Sequence, residues 1–497
     1  MDKHNFLVIM ADQLTPFMTG AYGNPQVRTP NLDRLRAGGV RFDAAYSPNP
    51  LCAPARASFM TGRYTYDLGC FDNCHAFSSE EPTYAHYLSL AGYDTVLSGK
   101  MHFVGPDQLH GLDRRLTTDC YPADYSWLPR FVDKEKHLMQ DPKGNAACYV
   151  RERCQPLPWT EQINYDEETH FRAKEYLYNQ VAPKRGEDEP FCLCVSYYHP
   201  HDPFTPPPKY YEMYADVKMD NPCPLEYGDH EKTVLDRWLG DGFHRTDKYD
   251  VTKPEGLMEL RRCYAALVSY IDDKVGELLA ALEYTGLSSS TVVIFTSDHG
   301  DMLGERGMVQ KRCFYEWSAR IPLLMKFPDG RHAGRVVTKA CSLLDIGATM
   351  IELAGAVHPD APGNDACSLT RYLDGGDFSR DIFSESHGEG IMWPCFMVRR
   401  GDFKYTYIHQ REEQLFNLAD DPGERRNLCG LPAYAALEAE LRAAILKRFS
   451  PESVLDYLEM SLKRRAIVRE ANSRRDISWD YSPVFPDDRR YSRGRKG

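Results

Sequence analysis

Three short, unbroken apolar runs each stop on a cluster of polar side chains, and this pattern limits the folds open to the chain. Phe6–Ala11 (FLVIMA) ends at Asp12, Phe191–Tyr198 (FCLCVSYY) at His199-Pro200-His201, and Thr291–Thr296 (TVVIFT) at Ser297-Asp298-His299. A strand exposed on one face alternates apolar with polar, so unbroken runs point to strands covered on both faces, as in parallel sheets. Ile321–Phe327 reads as a further strand of this kind. Between the runs lie helical patterns. In Leu257–Leu282, residues Leu260, Tyr264, Leu267, Val268, Ile271, Val275, Leu278, Leu279 and Leu282 share one stripe. The expected fold is α/β, a large, mostly parallel sheet flanked by helices. In such sheets ligands bind beyond the carboxyl ends of the strands, where the polar clusters fall.

The texture changes after about Gly376. Cys395–Val398 and Phe403–Ile408 read as antiparallel strands joined by Arg400-Gly401-Asp402, followed by a helix over Tyr434–Phe449. The expected organisation is a catalytic domain over 1–375, a smaller C-terminal α+β subdomain over 376–450, and a charged extension over 451–497. Pro129–Trp159 and Asp202–Lys253 read as long excursions around the sheet, of the kind that sets specificity.

Composition narrows the function classes. The 60 basic and 72 acidic residues leave a net charge of −12, which disfavours non-specific nucleic-acid binding. No apolar stretch is long enough to span a membrane, and Phe6–Ala11 is too short for a signal-peptide core. The 15 cysteines form no regular framework, and Cys192-Leu193-Cys194 lies inside an apolar run as a buried strand would. Many free thiols fit a reducing compartment, so a cytoplasmic location is expected.

Asp12, Asp298 and His299 are hard or borderline ligands suited to a divalent cation. The segment Cys52-Ala53-Pro54-Ala55-Arg56, followed by Thr61-Gly62-Arg63, resembles the C-x-P-x-R signature of type I sulfatases, members of the alkaline-phosphatase-like superfamily. Further segments carry the resemblance along nearly the whole chain. They are Asp12 after the first strand, Asn31-Leu32-Asp33-Arg34-Leu35, Lys100-Met101-His102, His201, Ser297-Asp298-His299-Gly300, Lys311, and Leu415–Leu428.

The resemblance implies that a maturation enzyme oxidises Cys52 to formylglycine. One hydroxyl of its hydrate would attack sulfur, and the other would expel sulfate as the aldehyde re-forms. It also implies a metal on Asp12, Cys52, Asp298 and His299, with calcium expected and magnesium or manganese open. Gln13 and His299 depart from the pattern of many sulfatases, which carry Asp and Asn there. Arg56, Lys100 and Lys311 would surround the sulfuryl group, where preorganised cations stabilise developing charge. His102 would take a proton from the hydrate, and His201 with Lys311 would assist the leaving oxygen.

Within the family the chain most resembles choline sulfatases. The relevant segments are Ser98–Gly111, Thr117-Thr118-Asp119 with Tyr121-Pro122-Ala123-Asp124, Ser297–Gly307 and Ser318–Pro322. Trp479-Asp480 and Arg490-Tyr491 resemble an extension used in oligomer contacts, which implies a homo-oligomer. A quaternary ammonium calls for an aromatic wall and a carboxylate. Trp127 is the candidate for the first, Glu385 or Glu389 for the second. Leu138–Gln155 departs from the choline-pocket pattern, and Arg130, Lys134, Lys136 and Lys143 make that neighbourhood cationic. His387 and Trp393 depart as well. A sulfated sugar or aryl ester, or a phosphonate monoester or phosphodiester, stand as alternative substrates. A non-catalytic binding protein on the same scaffold is disfavoured, because the pocket residues are all present.

Overall fold

A computed structural model describes residues 3–481 except 129, 132–138, 141–153, 185–188, 221–231, 240–253, 360, 362, 374–376 and 476. The main sheet has eight strands. They are β1 (Asn5–Ala11), β2 (Val40–Phe42), β3 (Asp94–Gly99), β4 (Arg114–Arg115), β5 (Phe191–Tyr197), β6 (Thr291–Ser297), β7 (Leu323–Lys326) and β8 (Arg335–Val337). Their spatial order is β8–β2–β7–β6–β1–β5–β3–β4. The run β6–β1–β5–β3–β4 is parallel throughout. Its neighbour β7 is antiparallel to both β6 and β2.

The unbroken apolar runs follow from this layering. Leu7, Ile9 and Ala11 enter the core on one face of the sheet, and Phe6, Val8 and Met10 enter the core on the other. The same division separates Leu193, Val195 and Tyr197 from Cys192 and Cys194, and Val293 and Phe295 from Val292 and Ile294. With no solvent-facing side, alternate positions have no reason to be polar. The Cys192-Leu193-Cys194 segment is therefore strand, and burial pushes the Cys194 thiol up to about 12. Thirteen cysteines are free among the described residues.

The long amphipathic pattern is one helix, Pro254–Tyr284, whose stripe from Leu260 to Leu282 packs on the β1 face that carries Leu7 and Ile9. The helices Cys52–Thr61 and Asp345–Ala354 cover the opposite face, through residues such as Phe59 and Ile346.

The expected strand over Ile321–Phe327 is corrected. It is two pieces, Arg320–Ile321 paired antiparallel with Ala45–Tyr46, and β7, also antiparallel to its neighbours. Pro322 stands between them and has no N–H to donate to a continuous ladder.

The C-terminal unit is a four-stranded antiparallel sheet, Ile382–Ser386, Cys395–Arg400, Phe403–Ile408 and Gln414–Asn417, in that order. The helix Ala435–Arg448 packs on it through Leu441 and Ile445.

Beyond it the extension forms a 23-residue helix, Pro451–Ser473, which the sequence pattern does not announce. Its buried side chains include Val454, Leu458 and Arg465, too mixed to read as an apolar stripe. Arg465 donates both terminal nitrogens to Asp72, at 2.8 and 2.9 Å. Past this helix Trp479 packs edge-on against Tyr125, and Asp480 accepts the Ala123 N–H at 3.0 Å. Within this one chain those two residues contact the protein's own fold. Arg490 and Tyr491 lie outside the described residues, as do Lys134, Lys136, Lys143 and the Arg130 side chain. No described helix is long and apolar enough to cross a membrane.

Candidate active site

The carboxyl ends of β6, β1, β5 and β3 lie side by side, and each delivers part of one cluster. Asp12 follows β1, Asp298 and His299 follow β6, His201 follows β5, and Lys100 and His102 follow β3. Cys52 opens the helix Cys52–Thr61, and Arg56 lies one turn further on. A thiol at a helix N-terminus has the positive end of the helix dipole beside it, which favours the anion. That terminus has no side-chain cap of its own. Asn73 serves instead, its side-chain oxygen accepting the Ala53 N–H at 2.9 Å.

Arg56 is completely buried and fully engaged. Its Nη2 donates to Asp12 at 2.8 Å, its Nε to Asp298 at 2.8 Å, and its Nη1 to the Lys100 carbonyl and the Ser196 hydroxyl. A buried charge is tolerable only with such pairing, so Arg56 locks the two carboxylates in place rather than facing a ligand. That refines the expectation that it surrounds the sulfuryl group. Lys100 Nζ pairs with the same Asp12 oxygen at 2.6 Å and lies 4.1 Å from the centre of the Tyr121 ring. Burial would raise the Asp12 carboxyl and the Cys52 thiolate raises it too, yet Lys100, His201 and Arg56 hold it well below the usual range.

Cys52 Sγ lies 3.2 Å from His299 Nε2, 3.9 Å from Asp12 Oδ1 and 3.1 Å from Lys311 Nζ. Burial pushes the thiol up, but Lys100, Lys311 and His299 outweigh it and bring the pKa well below the ordinary value, with His102 contributing. Lys311 Nζ also meets His201 Nε2 at 2.8 Å and donates to Gln13 Oε1 at 2.6 Å.

One donor atom from each of Asp12, Cys52, Asp298 and His299 lies within 4.8 Å of every other, and all four residues are buried. The donor chemistry fits a divalent cation. His299 Nδ1 faces the Gly300 carbonyl at 3.0 Å and donates there, which leaves Nε2 the atom through which a neutral ring would bind a cation. Gln13 adds no ligand to this group. Its amide nitrogen donates to Asp301 at 2.5 Å and to Asp202 at 3.2 Å, and its oxygen holds Lys311. That orientation explains why an amide replaces a carboxylate here. A second Asp would be a third acid facing Asp202 and Asp301.

The candidate substrate residues are placed unequally. Trp127 is 47% exposed, packs 4.6 Å from Tyr121 centre to centre, and stands edge-on to His102 at 6.2 Å. It therefore borders the cluster from the solvent side. Glu385 has no exposed surface, and its oxygens accept from the Tyr66 N–H and face His387 Nε2 at 3.0 Å. Burial and prior engagement exclude it from a ligand's ammonium. Glu389 accepts from the Asn73 N–H at 3.1 Å and from Arg312 at 2.9 Å, so its carboxylate braces the segment that holds Ala53. Sequence reasoning did not find the roles of Asn73, Tyr121 and Asp119. Their decisive contacts are with backbone N–H groups, as for Asn73 on Ala53 and Asp119 on Met101 and His102, or with Lys100 for Tyr121, and spacing reveals none of these.

Two family models match the chain, "Sulfatase" over residues 4–356 and "N-sulphoglucosamine sulphohydrolase, C-terminal" over residues 304–450. A choline-sulfatase of Rhizobium meliloti (strain 1021) is 37% identical over 510 residues, spanning 99% of this chain and 96% of that protein. Among solved structures, the phosphonate monoester hydrolase of Agrobacterium radiobacter superposes with a TM-score of 0.70 at 24% identity, covering 90% of this chain and 95% of its own. A protein solved with its substrate D-glucosamine-2-N,6-O-disulfate gives 0.71 at 23% identity, covering 92% and 98%. Sequence match, sheet topology and the buried Asp–Cys–Asp–His cluster agree, and the chain belongs to the sulfatase family, the sulfuric ester hydrolases of the alkaline-phosphatase-like superfamily.

Proposed function

We propose that the protein hydrolyses the sulfate ester of a small alcohol, choline sulfate being the substrate best supported, with Cys52 as precursor of the nucleophile. The convergence of Lys311, His299 and Asp12 on the Cys52 sulfur carries this reading. Whole-length identity of 37% to a choline-sulfatase supports the choice of alcohol. Oxidation of Cys52 by a maturation enzyme supplies a formylglycine hydrate, and a divalent cation, calcium by preference, held by Asp12, Asp298, His299 and residue 52 supplies charge neutralisation.

The chain's own residues divide the remaining work. Arg56 fixes both carboxylates so that they need not reorganise as charge moves. Lys311, 3.1 Å from the Cys52 sulfur, and Lys100, on Asp12 at 2.6 Å, bring two cations to residue 52, where the sulfate oxygens gather negative charge. His201, in contact with Lys311, passes a proton to the departing alcohol oxygen. His102, beside residue 52, takes the proton whose loss releases sulfate. Trp127 and Tyr121 offer aromatic faces to a quaternary ammonium at the mouth of the site.

A substrate panel tests the choice of ester. Choline sulfate should give a kcat/KM at least about tenfold above aryl and sugar sulfates, a difference of about 1.4 kcal/mol in transition-state binding. Greater activity on a phosphonate monoester than on any sulfate would overturn the reading.

A further inference from the structure

The proposed mechanism asks Lys100 and His102 to project from one short segment toward the same atom, and such a segment needs a scaffold. Gly99 and His102 both adopt left-handed backbone, with φ of +106° and +57°. For histidine that region is sparsely populated and is held only when its surroundings impose it. Asp119 supplies the restraint. Its Oδ2 accepts the Met101 N–H at 3.0 Å and the His102 N–H at 2.7 Å, while Arg115 Nη2 donates to the same oxygen at 2.6 Å. Its Oδ1 accepts the Cys120 N–H at 2.9 Å. Arg115 is held in turn by the Gln108 side chain at 2.9 Å. The carboxylate is 5% exposed and touches neither Cys52 nor the metal-ligand cluster.

We propose that Asp119 is a positioning residue for the sulfatase reaction, clamping the backbone of Lys100-Met101-His102 so that the His102 ring is held against residue 52. This rests on the proposed role of His102. One anionic oxygen gathers two successive N–H groups, a geometry that a neutral side chain or water would hold far less firmly. Such a clamp acts on the turnover step, because displacing a proton-transfer group by about 1 Å costs on the order of a hundredfold in rate.

The test is a double-mutant cycle of Asp119→Ala and His102→Ala in the full-length protein, read as kcat and KM for a sulfate ester. Asp119→Ala should lower kcat about a hundredfold with KM changed less than about threefold. The double variant should be scarcely slower than His102→Ala alone, since the His102 ring is gone and Lys100 is anchored separately, its N–H on the Ser196 carbonyl at 2.9 Å and its Nζ on Asp12 at 2.6 Å. Asp119→Asn, which keeps an acceptor oxygen and the side-chain shape, should recover part of the loss and stay folded if the alanine variant does not. Additive losses in the double variant, or a loss confined to KM, would overturn the proposal. Absence of sulfate-ester hydrolysis by the unmutated, Cys52-converted protein would instead remove the reading on which it stands.

Discussion

At the scale of single residues the site is an arrangement of charges that stabilise one another through burial. Asp119 gives this a measurable form. Burial raises its carboxyl, but Arg115, His102 and the Met101 N–H lower it more, to about 2 against an ordinary 3.8. The folded-state value lies below the unfolded one, so the ion stabilises the fold above pH 3.8. That contribution is lost as pH falls through the window from about 4 to about 2. The displacement corresponds to about 2 kcal/mol. Asp119→Asn should therefore be less stable than the parent at neutral pH, and the gap should close on acidification across that window. Urea unfolding at stepped pH measures it, and a gap independent of pH would contradict the assignment.

At the scale of elements, the strand ends place the chemistry, and they leave little room. A β-carbon on Gly99, the last residue of β3, would lie 2.0 Å from the Ser196 carbonyl oxygen of neighbouring β5. The positive φ at Gly99 adds strain for any side chain. Gly99→Ala should destabilise the fold by about 1–3 kcal/mol and depress kcat more than KM, because Lys100 follows directly. Thermal unfolding with steady-state kinetics checks both. Unchanged stability would mean that β3 and β5 are not packed this closely.

Much of this was legible in the sequence, for physical reasons. A strand buried on both faces must be apolar throughout, so β1, β5 and β6 announced themselves, and their polar ends marked the site. The Pro254–Tyr284 helix was legible because its large apolar side chains recur at helical spacing on one stripe, although residues 263–272 are buried all round. What the sequence hid was whatever depends on contacts between distant residues. The split at Pro322 and the antiparallel β7 could not be read from apolar content, which is the same in either direction. Asn73 and Asp119 act on backbone N–H groups, and although Arg115 and Asp119 stand four residues apart as an ion pair would, that spacing says nothing of the N–H groups Asp119 holds. Glu385 and Glu389 were chosen for their carboxylates, but whether a carboxylate faces a ligand or a neighbour is decided by packing alone.

At the scale of the whole molecule, segments from both halves of the chain meet beside the site. The Pro451–Ser473 helix places Arg465 on Asp72, and the next residue, Asn73, holds the first turn of the Cys52 helix. Glu389, from the C-terminal half, closes the same brace. The buried Lys404 joins the C-terminal sheet to Glu316 at 2.9 Å and also meets Glu424. Glu424 lies within the Leu415–Leu428 segment, whose part in the fold is thus to fasten the second unit to the first. The parallel sheet supplies the carboxylates, lysine and histidines at its strand ends, and the C-terminal half holds the Cys52 helix against them.

That account stands on residue 52. The most direct measurement is inorganic sulfate released from choline sulfate by the protein and by its Cys52→Ala variant. Both should be shown to fold alike, and Cys52 conversion in the parent should be confirmed by peptide mass. Turnover is expected from the parent, with a loss on the order of a thousandfold or more in the variant, the scale seen when a nucleophile is removed. Comparable sulfate release by both proteins would contradict it.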